Sequence, residues 1–234
     1  MPNVYAFIPA RAGSNRLKSK NTKLFHGKPL YHWTVELVKQ SNCFDSIFLS
    51  TDIEEIISCC EEDPEVVLVK RSTELATDHS TLLEVIQDFL KGHNFSLDDI
   101  LILLPVTAPL RVTSDIEEAL KRFKYFDGKK AVVSVSENTY PPALMWHNKS
   151  GLLYPLQELK SKKDTRKQNH DKTYAWNDIL VCDSVSNWLD EERTLFGQVP
   201  AMLEVSLERS MPIDYPVQFL LAEALFPPKD ERRL

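Results

Sequence analysis

Short unbroken apolar runs and stretches of helical period take turns along the first half of this chain. Residues 4–9 (VYAFIP) read as a buried strand. Over 30–40, Leu30, Trp33, Val35, Leu37 and Val38 fit one helix face better than strict alternation. A second short apolar run follows at 46–50 (SIFLS). A helical pattern then covers 53–60, with Asp52 as its expected N-cap. Strands are predicted at 65–69, 100–104 and 131–135, and helices at 80–91 and 113–126, the latter capped by Thr113 or Ser114. Strands alternating with helices predict a mostly parallel sheet covered on both faces.

After Pro141 the pattern changes. Residues 140–172 are rich in Pro, Lys and Gln, and KSKKDTRKQNHDK (160–172) is strongly basic. This predicts an excursion from the sheet: a lobe, lid or dimerisation arm. Strand character returns at 174–182. A closing helix is expected at 217–226, with Phe219, Leu220, Ala222 and Leu225 packing back on the sheet, followed by a frayed PPKDERRL tail.

Composition narrows the class. A chain of 234 residues suits one domain with an inserted lobe at about 140–175. Lys plus Arg total 28 against 34 Asp plus Glu, a formal charge of -6, which disfavours a general nucleic-acid binder. Cys43, Cys59, Cys60 and Cys182 show neither a CxxC pair nor a metal-ligand spacing, so a reduced cytoplasmic setting is expected. No run of 18 apolar residues suggests a membrane span.

Against this acidic background, the loop after the first predicted strand stands out. It gathers Arg11, Gly13, Ser14, Asn15, Arg16, Lys18 and Lys20, with Lys23 just beyond. Gly13 lets the backbone turn its amides toward an anion, and cations beside it suit a triphosphate. The loop is neither a Walker A motif nor GxGxxG. From spacing alone, a surface loop of solvated charges is the competing reading. In parallel folds ligands lie beyond the carboxyl ends of the strands, where Arg11, Asp52, Arg71, Thr107 and Ser136 are expected.

IPARAGSNRLKSKN (8–21) followed by GKPLYHWT (27–34) resembles the signature of the sugar-acid cytidylyltransferases, the CMP-acylneuraminate synthetases and their relatives. FDSIFLSTD (44–52), KRSTELATD (70–78), TAPLR (107–111), VVSVSE (132–137), RKQ (166–168) and the Ile213-Asp214 pair before a terminal LAE helix match in order. The resemblance implies a Rossmann-like three-layer α/β sandwich and a cytoplasmic homodimer. It implies CTP as co-substrate, Mg²⁺ as cofactor and a nonulosonic acid as acceptor, with neither nucleic acid nor membrane as partner.

Roles follow from the same resemblance. Arg11, Ala12, Gly13, Ser14, Lys20 and Asn21 correspond to the loop that holds the CTP phosphates and ribose, with Arg11 and Lys20 steadying the leaving pyrophosphate. Arg71 corresponds to the arginine that reads cytosine. Thr107, Arg111, Arg166, Gln168 and Asn177 correspond to the sugar-acid side. For Arg111 a structural ion pair is the equal alternative, and for Arg166 and Gln168 a solvated charge run. Asp214 is the expected metal ligand, with a helix N-cap as the alternative.

Several positions depart from the family pattern. Asn15-Arg16 and Lys18 stand where Lys and Pro are usual, and Pro105 and Ala108 where Gln and Ser are usual. Leu82 stands where a serine lies near the base, leaving Ser80 or Thr81 to serve. The Asp-x-Asp metal pair becomes Asp214-Tyr215-Pro216. These departures keep open a catalytically silent nucleotide binder, or a nucleotidyltransferase for another sugar.

Overall fold

A computed structural model describes residues 2–72, 74–77, 79–159, 161 and 165–226. The expected tail (227–234), Thr73 and Asp78 of the KRSTELATD motif, and residues 160 and 162–164 of the basic run lie outside the described residues.

The centre is a seven-stranded sheet built from β1 (Val4–Ala10), β4 (Ser46–Thr51), β5 (Val66–Lys70), β6 (Ile100–Leu103), β7 (Val132–Glu137), β10 (Tyr174–Ser184) and β11 (Ala201–Glu204). Two short strands, β2 (Leu24–Phe25) and β3 (Lys28–Pro29), form a hairpin beside it. The order is β11-β7-β10-β6-β1-β4-β5. Only β10 runs against the others, pairing antiparallel with both β6 and β7. The mostly parallel sheet predicted from the alternating pattern is therefore present.

Strand alternation explains the two faces. Ala6, Ile8 and Ala10 of β1, with Ile100 and Ile102 of β6, face one core. It is closed by α1 (Leu30–Ser41), α2 (Glu54–Glu61) and α4 (Thr113–Tyr125), which contribute Val35, Val38, Ile56, Ile116, Ala119 and Phe123. Phe7, Leu101 and Leu103 face the other core, against α3 (Leu82–Lys91) and the short α5 (Val185–Trp188), through Ile86, Phe89 and Trp188. This is the three-layer sandwich.

Local details differ from expectation. Asp52 does not cap α2: Ile53 holds that position, and the Asp52 carboxylate accepts the Ala12 amide at 2.7 Å. At α4 the N-cap is Val112, whose amide donates to Asp115 at 2.9 Å, so neither Thr113 nor Ser114 serves. The closing helix α6 (Pro216–Leu225) does not pack on the sheet. Its Phe219 and Ala222 meet Leu17, Phe25, Leu30 and Ile213, while Leu220 and Leu225 stay exposed. The helix therefore clamps the loop after β1. The excursion contains a hairpin, β8 (Trp146–Lys149) with β9 (Leu152–Pro155), whose eight residues are all exposed.

Candidate active site

The carboxyl ends of β1, β4, β5 and β6 share one edge of the sheet, and a cavity of about 400 Å³ opens above it. One wall is the loop after β1, with Arg11, Ser14, Asn15, Arg16, Lys20 and Asn21. Gly13 has φ +76, a left-handed conformation that costs glycine nothing, and it turns this loop over the sheet edge. Buried Asn21 fastens the returning chain: its Nδ2 donates to the Arg11 carbonyl at 2.8 Å. Arg71 enters from the end of β5, Leu82 from the start of α3, and Pro105, Val106 and Thr107 from beyond β6. Asp178 and Asp214 complete the lining.

Four of these side chains are cationic (Arg11, Arg16, Lys20, Arg71) and two are carboxylates, so a local positive surplus sits within an acidic chain. Lys20 donates to Asp214 at 2.8 Å and Arg16 donates to the same carboxylate at 3.2 Å. Arg16 also lies over the Tyr215 ring, 5.2 Å from its centre. Arg71 is different. Its Nε and Nη2 are buried and have no hydrogen-bond partner among the described residues. Burial pulls its pKa down and the Arg11 charge pulls the same way, with Asp52 opposing. A buried guanidinium edge without acceptors costs free energy unless a ligand supplies them.

Other expected site residues lie elsewhere. Arg111 is buried and does not line the cavity. Its Nε donates to Ile179 O at 2.7 Å, and its Nη2 to Pro105 O at 2.7 Å and Asp178 O at 3.2 Å. Among the described residues it forms no ion pair and acts as a clamp on carbonyls, away from the cavity lining. Burial pushes its pKa down to about 10, which still leaves it charged at neutral pH. Asn177 is likewise buried. It donates to Ser136 Oγ at 2.9 Å and accepts the Ile179 amide at 3.2 Å, so it shapes β10 rather than meeting a ligand. Ser80 bonds Thr77 Oγ1 and Glu74 O, and Thr81 caps α3 in a reciprocal pair with Glu84, so Leu82 presents an apolar wall in their place. Ala12 has its amide on Asp52. Exposed Arg166 and Gln168 lie on the lobe, outside the cavity lining.

Asp178 was not anticipated from the sequence. Where β10 crosses the sheet edge its register shifts between Trp176 and Val181, and within this bulge Asp178 has φ 60. Its Oδ2 accepts the Thr107 hydroxyl at 2.8 Å. Burial raises its pKa and the Asp214 charge adds to the rise, with the Thr107 bond opposing. The sequence carried one signal: Asn177-Asp178 interrupts an otherwise apolar strand, which marks a bulge.

Residues 5–173 match the family described as Cytidylyltransferase. The chain belongs to the cytidylyltransferase family. It is 31% identical over 231 residues to the CMP-N,N'-diacetyllegionaminic acid synthase of Legionella pneumophila, covering 95% of each chain. It is also 31% identical to an N-acylneuraminate cytidylyltransferase of Streptococcus agalactiae, over 88% of this chain but only 49% of that longer relative. Among solved structures, a CMP:2-keto-3-deoxy-manno-octonic acid synthetase complexed with CTP superposes with a TM-score of 0.69 at 14% identity, covering 95% of this chain and 98% of that one. That likeness is one of fold.

A cytidylyltransferase of this kind invites the question of a metal. No group of three or more His, Cys, Asp or Glu side chains is arranged for an ion among the described residues. The cavity nevertheless offers carboxylate oxygens from Asp178 and Asp214, and buried Asn21 Oδ1 has no hydrogen-bond partner among the described residues. Such a sparse, all-oxygen set fits Mg²⁺, which keeps water and phosphate oxygens in its shell. It does not fit a softer ion that needs thiolate or imidazole.

Proposed function

We propose that this cytidylyltransferase transfers CMP from CTP to the anomeric hydroxyl of a nonulosonic acid. The two relatives named for such products support the acceptor class. The observation that carries the CTP reading is Arg71. Its Nε and Nη2 form one edge of the guanidinium, spaced for two adjacent acceptors such as cytosine O2 and N3.

The hydroxyl oxygen attacks the α-phosphorus, the bond to the bridging oxygen breaks, and pyrophosphate leaves with that oxygen; the hydroxyl proton passes to solvent. No enzyme nucleophile is required, so the site acts by positioning and charge. Arg11, Ser14, Arg16 and Lys20 on the loop wall bind the triphosphate and stabilise charge on the leaving group. Asp214 would hold Mg²⁺, which when bound neutralises charge at the phosphates. Until nucleotide arrives, Arg16 and Lys20 occupy that carboxylate.

The chain works as a single nucleotidyltransferase domain in a reducing, cytoplasmic setting, in keeping with four unpaired cysteines. Among the described residues no helix is long and apolar enough to cross a membrane. It pairs with a second copy through the β8–β9 hairpin, whose Trp146, Leu152 and Leu153 are 52%, 63% and 66% exposed. Light scattering of Leu153→Asp tests the pairing: an unchanged dimer would remove the hairpin from it.

The test of function is incubation with CTP, Mg²⁺ and a panel of nonulosonic acids, reading pyrophosphate. Release with one or more acids is expected. Thermal shifts with CTP, UTP, GTP and ATP should single out CTP. Binding of CTP without release on any acid would replace the enzyme by a silent nucleotide-binding protein.

A further inference from the structure

We propose that Asp178, held on a strained bulge of β10, is the second carboxylate of a divalent-cation site completed by Asp214 across the cavity. This deepens, and rests on, the reading of the cavity as the CTP site.

Three observations converge on it. First, Asp178 and Asp214 lie 36 residues apart in sequence, on β10 and before α6, yet line the same cavity as the phosphate-loop cations. Second, Asn21 is only 5% exposed and lines that cavity. With its Nδ2 occupied by the Arg11 carbonyl, its unpartnered Oδ1 is the atom left for a bound cation or a water of its shell. Carboxylate, carboxylate and amide oxygen are the ligand chemistry of a hard cation.

Third, the scaffold holds Asp178 in place at a cost. Its φ of 60 is the left-handed region, where glycine would be unstrained and aspartate is tolerated. Surrounding bonds over-determine that conformation. Arg111 holds the Asp178 and Ile179 carbonyls, Asn177 spans from Ser136 to the Ile179 amide, and Ser134 Oγ accepts the Leu180 amide at 2.8 Å. Strain that the surroundings maintain at a cavity is what a functional position looks like. Arg111 and Asn177 are positioning residues in this arrangement.

The test uses Mn²⁺ as the probe, with free ion read by electron paramagnetic resonance in the presence and absence of CTP. The proteins are wild type, Asp178→Asn, Asp178→Gly and Asp214→Asn. Each variant is expected to weaken Mn²⁺ binding to the CTP complex by more than the roughly tenfold that loss of an outer-shell partner costs. CTP binding in EDTA, measured by calorimetry, should stay at the wild-type level or tighten for the Asp178 variants. Wild-type Mn²⁺ affinity in Asp178→Asn, with loss in Asp214→Asn, would overturn the proposal and leave the cation on Asp214 alone. Failure of the wild-type chain to bind CTP at all would overturn the cavity reading itself, a result distinct from the first.

Discussion

Half-buried Arg71, with its Nε and Nη2 enclosed, and fully buried Arg111 are two guanidinium groups with opposite fates. At the cavity floor, Arg71 keeps Nε and Nη2 without acceptors among the described residues. At the junction of β6 and β10, Arg111 gives its donors to the carbonyls of Pro105, Asp178 and Ile179 and lies 3.3 Å from Thr34 Oγ1. Desolvation lowers both pKa values, so the direction of the shift does not distinguish them. The state of the partners does. A satisfied buried cation is architecture, while an unsatisfied one at a cavity is half of an interaction whose other half is a ligand.

The largest effect that would break this contrast is on Arg111. Arg111→Leu should destabilise the fold by about 3 kcal/mol or more, since several buried carbonyls lose their donors. The midpoint of urea unfolding measures it, and a near-wild-type midpoint would show that the clamp contributes little. Next comes Arg71→Leu, which should leave the urea midpoint unchanged or higher. It should weaken CTP binding about 10- to 100-fold by calorimetry, the loss of charge-assisted bonds of roughly 1.5–3 kcal/mol. If it instead unfolds the protein, Arg71 is architecture after all.

Thr107→Val is a smaller probe of the elbow. It removes one hydrogen bond to Asp178 and should cost about 1 kcal/mol in stability. The smallest effect is a pH slope. The folded pKa of Asp178 lies above its ordinary 3.8, so the folded chain holds that proton more tightly than the unfolded chain. The stability it contributes is therefore complete below 3.8 and lost as pH rises through the folded value. Asp178→Asn should gain melting temperature relative to wild type as pH rises through that window. A constant difference would mean that Asp178 is not perturbed.

Much of the fold was legible because its signals are local. The alternation of apolar runs with helical periods places β1, α1, β4, α2, β5, α3, β6 and α4 close to their observed bounds. The loop cations were legible too, since they stand together against an acidic composition, and Arg11, Ser14, Lys20 and Asn21 do meet in one cavity with Arg71, Thr107 and Asp214. The errors concern long-range pairing. The pattern marks Asp52 as a cap, but the end of β1 brings the Ala12 amide, 40 residues earlier, within reach, beside the Thr51 hydroxyl on Ala10 O. Leu220 and Leu225 looked like core, but α6 docks on the loop hairpin and leaves them exposed.

The β10 region shows where the division falls. Residue types and their order decided that a mostly parallel sheet would form with a cationic loop at its first turn, because period and charge are properties of neighbours along the chain. That β10 runs antiparallel was decided by tertiary structure alone, and this direction brings its middle to the carboxyl edge of β6. The bulge there sends Asn177 into the structure and Asp178 into the cavity. One register step exchanges such roles, and no local pattern fixes a register that depends on Ser134 and Ser136 of β7 and on Arg111 before α4.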